Sequence, residues 1–190
     1  RFWSTQAREA FPWYEHKELG YNYRISNVVA AVVRGQFGHL AEHIAAKRKI
    51  YERYREGLKD LPVFMNPYDG ERSVPNSWLS CVLIDEGAMC VCVRSEREKL
   101  YISEKGKSCP DEILDALAAF GAEGRPVWKP MHMQPLYWGN RFVTADDGNE
   151  NAGKGVAAEI FRRGVCLPSD VKMTGEEVER VLEILKRCFW

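Results

Sequence analysis

Apolar residues recur every three or four positions between Ser26 and Leu61, a spacing that predicts an α-helix. Ser26 suits the N-cap of this helix, and Pro62 would end it. A helix of this length is long for a globular protein and glycine disfavours helix, so we expect a bend at Gly35 or Gly38. The positions that define the pattern are Val29, Val33, Phe37, Leu40, Ile44, Ile50 or Tyr51, Tyr54, Leu58 and Leu61.

After Pro62 the pattern changes to short apolar runs of strand length alternating with helical periods. Thr174-x-x-Glu177 is a capping box, and it predicts a final helix whose buried stripe begins at Val178. Ile113, Leu117 and Phe120 predict one apolar stripe on an earlier helix. Mixed elements of this kind indicate an α+β domain. The predicted strands are 63–65, 77–84, 89–93, 125–128 and 165–167, the predicted helices are 110–120, 152–163 and 174 onward, and 130–148 is predicted to be a long loop.

The charge balance of the 190-residue chain excludes two classes of partner. Lys and Arg total 27, as do Asp and Glu, so nothing indicates binding to nucleic acid or to an anionic membrane surface. No apolar run approaches the roughly 20 residues of a membrane-spanning helix. The amino terminus has neither an initiator Met nor the pattern of a signal peptide, so we expect a cytoplasmic chain that begins within a longer protein.

The six cysteines are scattered and lack the spacing of a zinc site. We therefore expect reduced thiols and no metal centre. Cys81, Cys166 and Cys188 stand in apolar runs, which predicts that they are small core residues.

Polar and aromatic residues crowd the entrance of the first predicted helix, in Leu19-Gly20-Tyr21-Asn22-Tyr23-Arg24-Ile25-Ser26-Asn27. The first turn of a helix offers unpaired N–H groups and a positive dipole, and Asn22 and Arg24 would add side-chain donors. This combination predicts an anion site. The alternative is that Tyr21 and Tyr23 are packing residues, that Arg24 is a solvated charge and that Asn22 bonds its own backbone in a turn.

Three segments in order resemble the DegT/DnrJ/EryC1/StrS family of nucleotide-sugar aminotransferases. They are Gly20 to Asn27 with Arg34-Gly35-Gln36 beyond it, Gly124-Arg125-Pro126-Val127-Trp128-Lys129-Pro130-Met131-His132-Met133-Gln134-Pro135, and Arg163-Gly164-Val165-Cys166-Leu167-Pro168-Ser169. The resemblance implies the small C-terminal domain of a fold-type-I pyridoxal-phosphate enzyme, an antiparallel sheet flanked by helices and preceded by a long connecting helix. Residues 1–25 would end the large domain, 26–61 would form the helix that connects the two domains, and 62–190 would form the small domain. Residues 85–108 depart from the family pattern.

The same resemblance implies an activity for the full-length protein. Pyridoxal 5'-phosphate would serve the transfer of an amino group, usually from glutamate, to a nucleotide-linked keto sugar, as in the synthesis of cell-surface polysaccharides. The Schiff-base lysine would lie N-terminal to Arg1, so no residue of this chain is assigned a catalytic role. From the residues alone, the alternative is a non-catalytic α+β module for dimerisation or for binding an anionic small molecule.

Specific binding residues follow from the resemblance. Asn22 would reach the cofactor phosphate of the other subunit of a homodimer, and Arg24 would support that phosphate or an anionic group of the substrate. Trp128 would form an apolar wall for the nucleotide sugar, Lys129 would meet its diphosphate, and His132 would hydrogen-bond a sugar hydroxyl or keto oxygen. Without the resemblance, His132 is better interpreted as a hydrogen-bonded loop histidine and Trp128 as a core residue.

Overall fold

The computed structural model describes residues 1–12, 15–94, 99–137, 139–143 and 155–190. These residues divide into two compact units, 1–42 and 43–190, and the division lies inside a helix. Within the described ranges, no helix combines the length and the apolar character that crossing a bilayer requires.

The first unit consists of short bridged segments followed by helix α1, Asn27–Phe37. The Ser26 hydroxyl accepts a hydrogen bond from the Val29 amide at 3.3 Å, which confirms the predicted N-cap. No residue of α1 is buried, although the helix is rich in valine. Val28, for example, is 76% exposed. The apolar stripe predicted from the sequence is therefore present on α1 but is uncovered in this chain.

The segment predicted as one long helix forms two helices in the structure. Helix α1 ends at Phe37 and α2 runs Leu40–Gly57, so Gly38 and His39 separate them. The predicted bend is therefore a break between two helices, and it lies at Gly38, the second of the two candidate glycines. Glycine loses more conformational entropy than other residues when it becomes helical, so it favours the end of a helix. Helix α2 also ends before Leu61, and its carboxyl half buries Ile50, Tyr51 and Tyr54.

The second unit contains a four-stranded sheet in which every neighbouring pair is antiparallel. The strand order is β1, β2, β6, β5. The predicted strands at 77–84 and 125–128 are shorter in the structure, and those at 63–65 and 165–167 agree with it. The bounds are β1 Val63–Met65, β2 Ser80–Ile84, β5 Arg125–Pro126 and β6 Gly164–Leu167.

Three helices accompany this sheet: α3 Pro110–Ala119, α4 Val156–Arg163 and α5 Gly175–Arg187. Both bonds of the predicted Thr174–Glu177 capping box are present on α5. The prediction for Phe120 is wrong, because this residue is the C-cap of α3 and is exposed. Residues 152–154 of the predicted helix lie outside the described residues. The main core includes Ile113 and Leu117 of α3, Val82 and Ile84 of β2, Val165 and Leu167 of β6, and Val178, Val181, Leu182 and Leu185 of α5.

A second sheet is a two-stranded antiparallel ribbon of β3, Val91–Arg94, and β4, Lys99–Ile102. It lies within 85–108, where the sequence predicted a strand over 89–93. The described architecture is α+β with antiparallel sheets flanked by helices, as the sequence predicted.

Candidate functional site

Asn22 lies on an extended segment that pairs with the start of the chain. The Tyr21 amide donates to the Trp3 carbonyl at 2.7 Å, and the Tyr23 amide donates to the Ser4 carbonyl at 3.1 Å. The rings of Tyr21 and Tyr23 stack with centroids 5.0 Å apart, so they project to one side. In extended backbone, successive side chains alternate, which directs Asn22, bridged to Thr5, to the opposite side, whereas Arg24 follows in a bend.

Asn22 and Arg24 are both exposed just before α1. An amide and a guanidinium are suitable donors for a phosphate, and the first turn of α1 contains no acidic residue that would oppose an anion. Tyr21 and Tyr23 are exposed in this chain, so they are not core residues here. These residues fit the phosphate group that the resemblance implies.

Trp128 lies on the surface and contacts a second tryptophan. Its ring centroid is 5.9 Å from that of Trp78, and both side chains are about 60% exposed. The interpretation of Trp128 as a core residue is therefore wrong. Sequence reasoning did not assign Trp78 to the site because it treated this residue as part of a central strand.

The backbone before Trp78 has an unusual conformation. Ser77 is buried and has a φ of 50°, in the left-handed region that residues with a side chain rarely adopt. The Asn76 side chain accepts a hydrogen bond from the Trp78 amide at 3.2 Å and supports this turn. The conformation places Trp78 beside Trp128, and strained backbone of this kind clusters at functional sites.

His132 lies in a short 3-10 helix, Met131–Met133, and stacks on Phe142. The two ring centroids are 4.0 Å apart, with 29° between the planes. The His132 Nε2 atom is buried and has no hydrogen-bond partner within the described part of the chain. Buried polar atoms normally have a partner, so this nitrogen is suited to a ligand oxygen. Phe142 is the second residue that sequence reasoning did not assign.

Lys129 is the third predicted binding residue of this segment. It is half-buried between Trp128 and His132 along the chain, and its carbonyl accepts from the Gln134 side chain at 3.4 Å. The structure thus brings Trp128, Lys129 and His132 into one turn-rich segment of the second unit, while Asn22 and Arg24 belong to the first unit.

The third motif, Arg163 to Ser169, has a structural role. Arg163 donates to the Ile84 carbonyl at 2.9 Å, and the Tyr54 hydroxyl of α2 donates to the Pro168 carbonyl at 2.8 Å. The Ser169 hydroxyl accepts from the Ser80 amide at 3.1 Å. Lys47 donates to the Ser169 carbonyl. These bonds join α2 to the sheet and stabilise the unit that carries the His132 segment.

A cavity of about 990 Å³ lies elsewhere, against the face of the sheet that carries Cys81 and Leu83. None of the five predicted binding residues lines it. Among the described residues, no cluster of three or more His, Cys, Asp or Glu side chains could hold a metal ion.

Comparison with curated proteins gives relatives over the whole chain. EpsN of Bacillus subtilis (strain 168), which is assigned as a pyridoxal phosphate-dependent aminotransferase, is 35% identical over 191 residues, covering 100% of this chain and 42% of EpsN. GDP-perosamine synthase of Caulobacter vibrioides is 26% identical over 88% of this chain and 38% of its own length. The chain thus spans about two-fifths of the length of these relatives.

Solved structures show the same fold. PseC of Helicobacter pylori, an aminotransferase involved in the biosynthesis of pseudoaminic acid, has a TM-score of 0.69 at 17% identity, covering 99% of this chain and 44% of PseC. The aminotransferase TlmJ of Streptoalloteichus hindustanus has a TM-score of 0.68 at 19% identity, covering 99% of this chain and 43% of TlmJ.

The family comparison is the most direct. The model of the DegT/DnrJ/EryC1/StrS aminotransferase family matches residues 3–186, which include all three motifs and all five predicted binding residues. The chain belongs to the DegT/DnrJ/EryC1/StrS aminotransferase family.

Proposed function

We propose that this chain is the C-terminal part of a pyridoxal-phosphate-dependent aminotransferase that transfers an amino group from glutamate to a nucleotide-linked keto sugar. The observation that carries the proposal is the family match over 3–186, which extends from the Asn22 segment through the His132 segment. The cofactor, when bound, acts as an electron sink for the bonding electrons released at the carbon that exchanges its amino group. The residues of this chain would bind the cofactor and the nucleotide sugar and orient them.

Asn22 and Arg24 would hold the cofactor phosphate of the partner subunit in a homodimer. Support comes from the exposure of both residues next to the start of α1, with Asn22 on extended backbone between the stacked tyrosines. The exposure of α1 also supports the proposal, because a helix with this much apolar surface is suited to packing against further polypeptide. On this proposal, residues 1–25 end the large domain, 26–61 connect the domains, and 62–190 form the small domain.

Lys129, His132 and Trp128 would bind the nucleotide sugar. The Lys129 ammonium would neutralise diphosphate charge, and the exposed ring of Trp128 would contact an apolar face of the sugar or base. His132 would use Nε2, which none of the described residues hydrogen-bonds, for a hydroxyl or keto oxygen, with its ring held by Phe142. Holding the keto oxygen in one direction would orient the carbon that receives the amino group.

The test uses the full-length protein with pyridoxal phosphate, glutamate and a panel of UDP-, dTDP- and GDP-linked keto sugars. We expect an amino sugar nucleotide and an equal amount of 2-oxoglutarate, both measured by mass spectrometry. The same keto sugars without the nucleotide are the matched control and should react far more slowly. Absence of amino transfer to every nucleotide-linked sugar, in protein that has bound the cofactor, would contradict the proposal.

A second measurement addresses His132. The His132→Asn variant keeps a polar side chain but changes the position of the hydrogen-bonding atoms, and we expect a lower kcat/KM for the keto sugar nucleotide. Cofactor binding should stay unchanged, because this role lies with Asn22 and Arg24. A variant with unchanged kcat/KM would exclude His132 from the substrate site.

A further inference from the structure

Two cysteines occupy directly opposite positions on neighbouring strands of the four-stranded sheet. Cys81 of β2 is the register partner of Cys166 of β6. Their sulfur atoms are 3.5 Å apart and are hydrogen-bonded. Both are free cysteines in this structure.

This pair is accessible from one side. Cys81 is half-buried and lines the cavity of about 990 Å³, whereas Cys166 is buried behind it. The cysteines Cys90 and Cys109 differ, because both are buried and the sulfur of Cys109 caps α3 by accepting from the Glu112 amide at 3.4 Å. In the pair of Cys81 and Cys166, one thiol lines a cavity and the second thiol is close to it.

We propose that Cys81 and Cys166 form a dithiol that small-molecule disulfides oxidise to a cross-strand disulfide. Directly paired residues of antiparallel strands have Cα atoms about 4.5–5.5 Å apart, within the usual Cα separation of about 4.4–6.8 Å for a disulfide. Bond formation closes the sulfur–sulfur distance from 3.5 Å to about 2.05 Å while the register of the two strands is kept.

The oxidant is a small disulfide such as glutathione disulfide, and the reaction is two thiol–disulfide exchanges. The Cys81 thiolate attacks one glutathione sulfur, which breaks the glutathione disulfide and releases one glutathione thiolate. The Cys166 thiolate then attacks the Cys81 sulfur and releases the second glutathione. Two protein thiols are oxidised and one glutathione disulfide is reduced to two thiols, while the two protons pass to the released thiolates or to solvent.

Accessibility selects Cys81 for the first exchange, because Cys81 lines the cavity and Cys166 is buried. The electrostatics of the pair favour the second exchange. The hydrogen bond from Cys81 lowers the pKa of the Cys166 thiol, and the same bond together with burial raises the pKa of Cys81. The resolving thiol is therefore the more readily ionised one, which favours ring closure over a persistent mixed disulfide.

The experiment treats the reduced full-length protein with glutathione disulfide, blocks remaining thiols with N-ethylmaleimide, and maps peptides by mass spectrometry. We expect a Cys81–Cys166 linked peptide, with the linkage lost after dithiothreitol. No linkage, or glutathione retained on Cys81 in the wild-type protein, would overturn the proposal. A linkage of Cys81 to any other cysteine would overturn it equally.

Variants separate the two steps. Cys166→Ser should trap glutathione on Cys81, whereas Cys81→Ser should lose both the linkage and the adduct. Cys92→Ser is the matched control and should form the Cys81–Cys166 linkage as the wild type does. Circular dichroism checks that each variant is folded, and the wild-type peptide map decides the proposal even if a variant does not fold.

Discussion

The ring of Phe142 lies over the imidazole of His132, with 4.0 Å between centroids and 29° between planes. This stacking constrains the side-chain torsions of His132, whose Nε2 is buried and has no hydrogen-bond partner among the residues that the structure describes. Phe142 is therefore a positioning residue in the proposed site, and its effect on substrate would pass through His132.

Replacing Phe142 by leucine should weaken substrate binding while the fold is kept. An aromatic pair contributes about 0.5–1.5 kcal/mol beyond its buried area, so we expect KM for the keto sugar nucleotide to rise about 2- to 10-fold. Steady-state kinetics of the full-length enzyme measure this change. Phe120→Leu, at the exposed C-cap of α3, is the matched control and should leave KM unchanged. An equal KM for Phe142→Leu and wild type would show that His132 needs no support from this ring.

Asn22→Ala should weaken retention of pyridoxal phosphate more than it harms folding. A hydrogen bond to a charged phosphate contributes about 1.5–3 kcal/mol, which corresponds to a roughly 10- to 100-fold loss of cofactor affinity. A spectroscopic titration of the full-length apoprotein measures this affinity. Gln36→Ala removes the same functional group from the exposed surface of α1 and is the control. Cofactor affinity equal to that of the wild type would remove Asn22 from the phosphate site.

Features governed by neighbours in sequence could be predicted without the structure. The Ser26 N-cap and the Thr174 capping box depend on atoms three residues away, and both are present. The stripe of α5 from Val178 to Leu185 is buried as expected. Phe120 shows the limit of such patterns, because the helix ends at Ala119, one residue earlier than the apolar spacing suggested, and this ring is exposed.

Features governed by distant residues could not be predicted. Nothing in the sequence indicated that Trp78 would meet Trp128, because that contact depends on the left-handed backbone of Ser77. The pairing of Cys81 with Cys166 depends on the register of β2 and β6, and a shift of one residue would direct the two thiols apart. The roles of Asn22, Arg24, Trp128, Lys129 and His132 stay predictions, and the variants of Asn22 and His132 described above test two of them.

Tyr54 provides a test of how the third motif stabilises the second unit. Its side chain is fully buried, and its hydroxyl donates to the Pro168 carbonyl at 2.8 Å. Tyr54→Phe would leave that carbonyl without its donor, so we expect a loss of about 1–3 kcal/mol in the free energy of unfolding. Urea denaturation followed by circular dichroism measures the loss. Tyr68→Phe, at an exposed ring, should change the midpoint little, and equal midpoints for the two variants would contradict the assigned role.

Gly164 tests the close contact between α4 and the sheet. A Cβ atom at this position would lie 2.4 Å from the Ile160 carbonyl oxygen and 2.6 Å from Cγ2 of Val127. Because the first of these atoms belongs to the backbone, Gly164→Ala must displace the end of α4 or the start of β6, and we expect a cost of about 1–3 kcal/mol. Hydrogen exchange of the β6 amides should then become faster.

The control for Gly164 is Gly70→Ala, where the nearest atom to an added Cβ is a ring carbon of Tyr68 at 3.8 Å, an ordinary contact. Exchange in β6 should be unchanged in this variant. If Gly164→Ala also left β6 protection unchanged, the strand would have to accommodate a methyl group without moving. In that case the glycine of the third motif would not be required by the packing of α4 against β6.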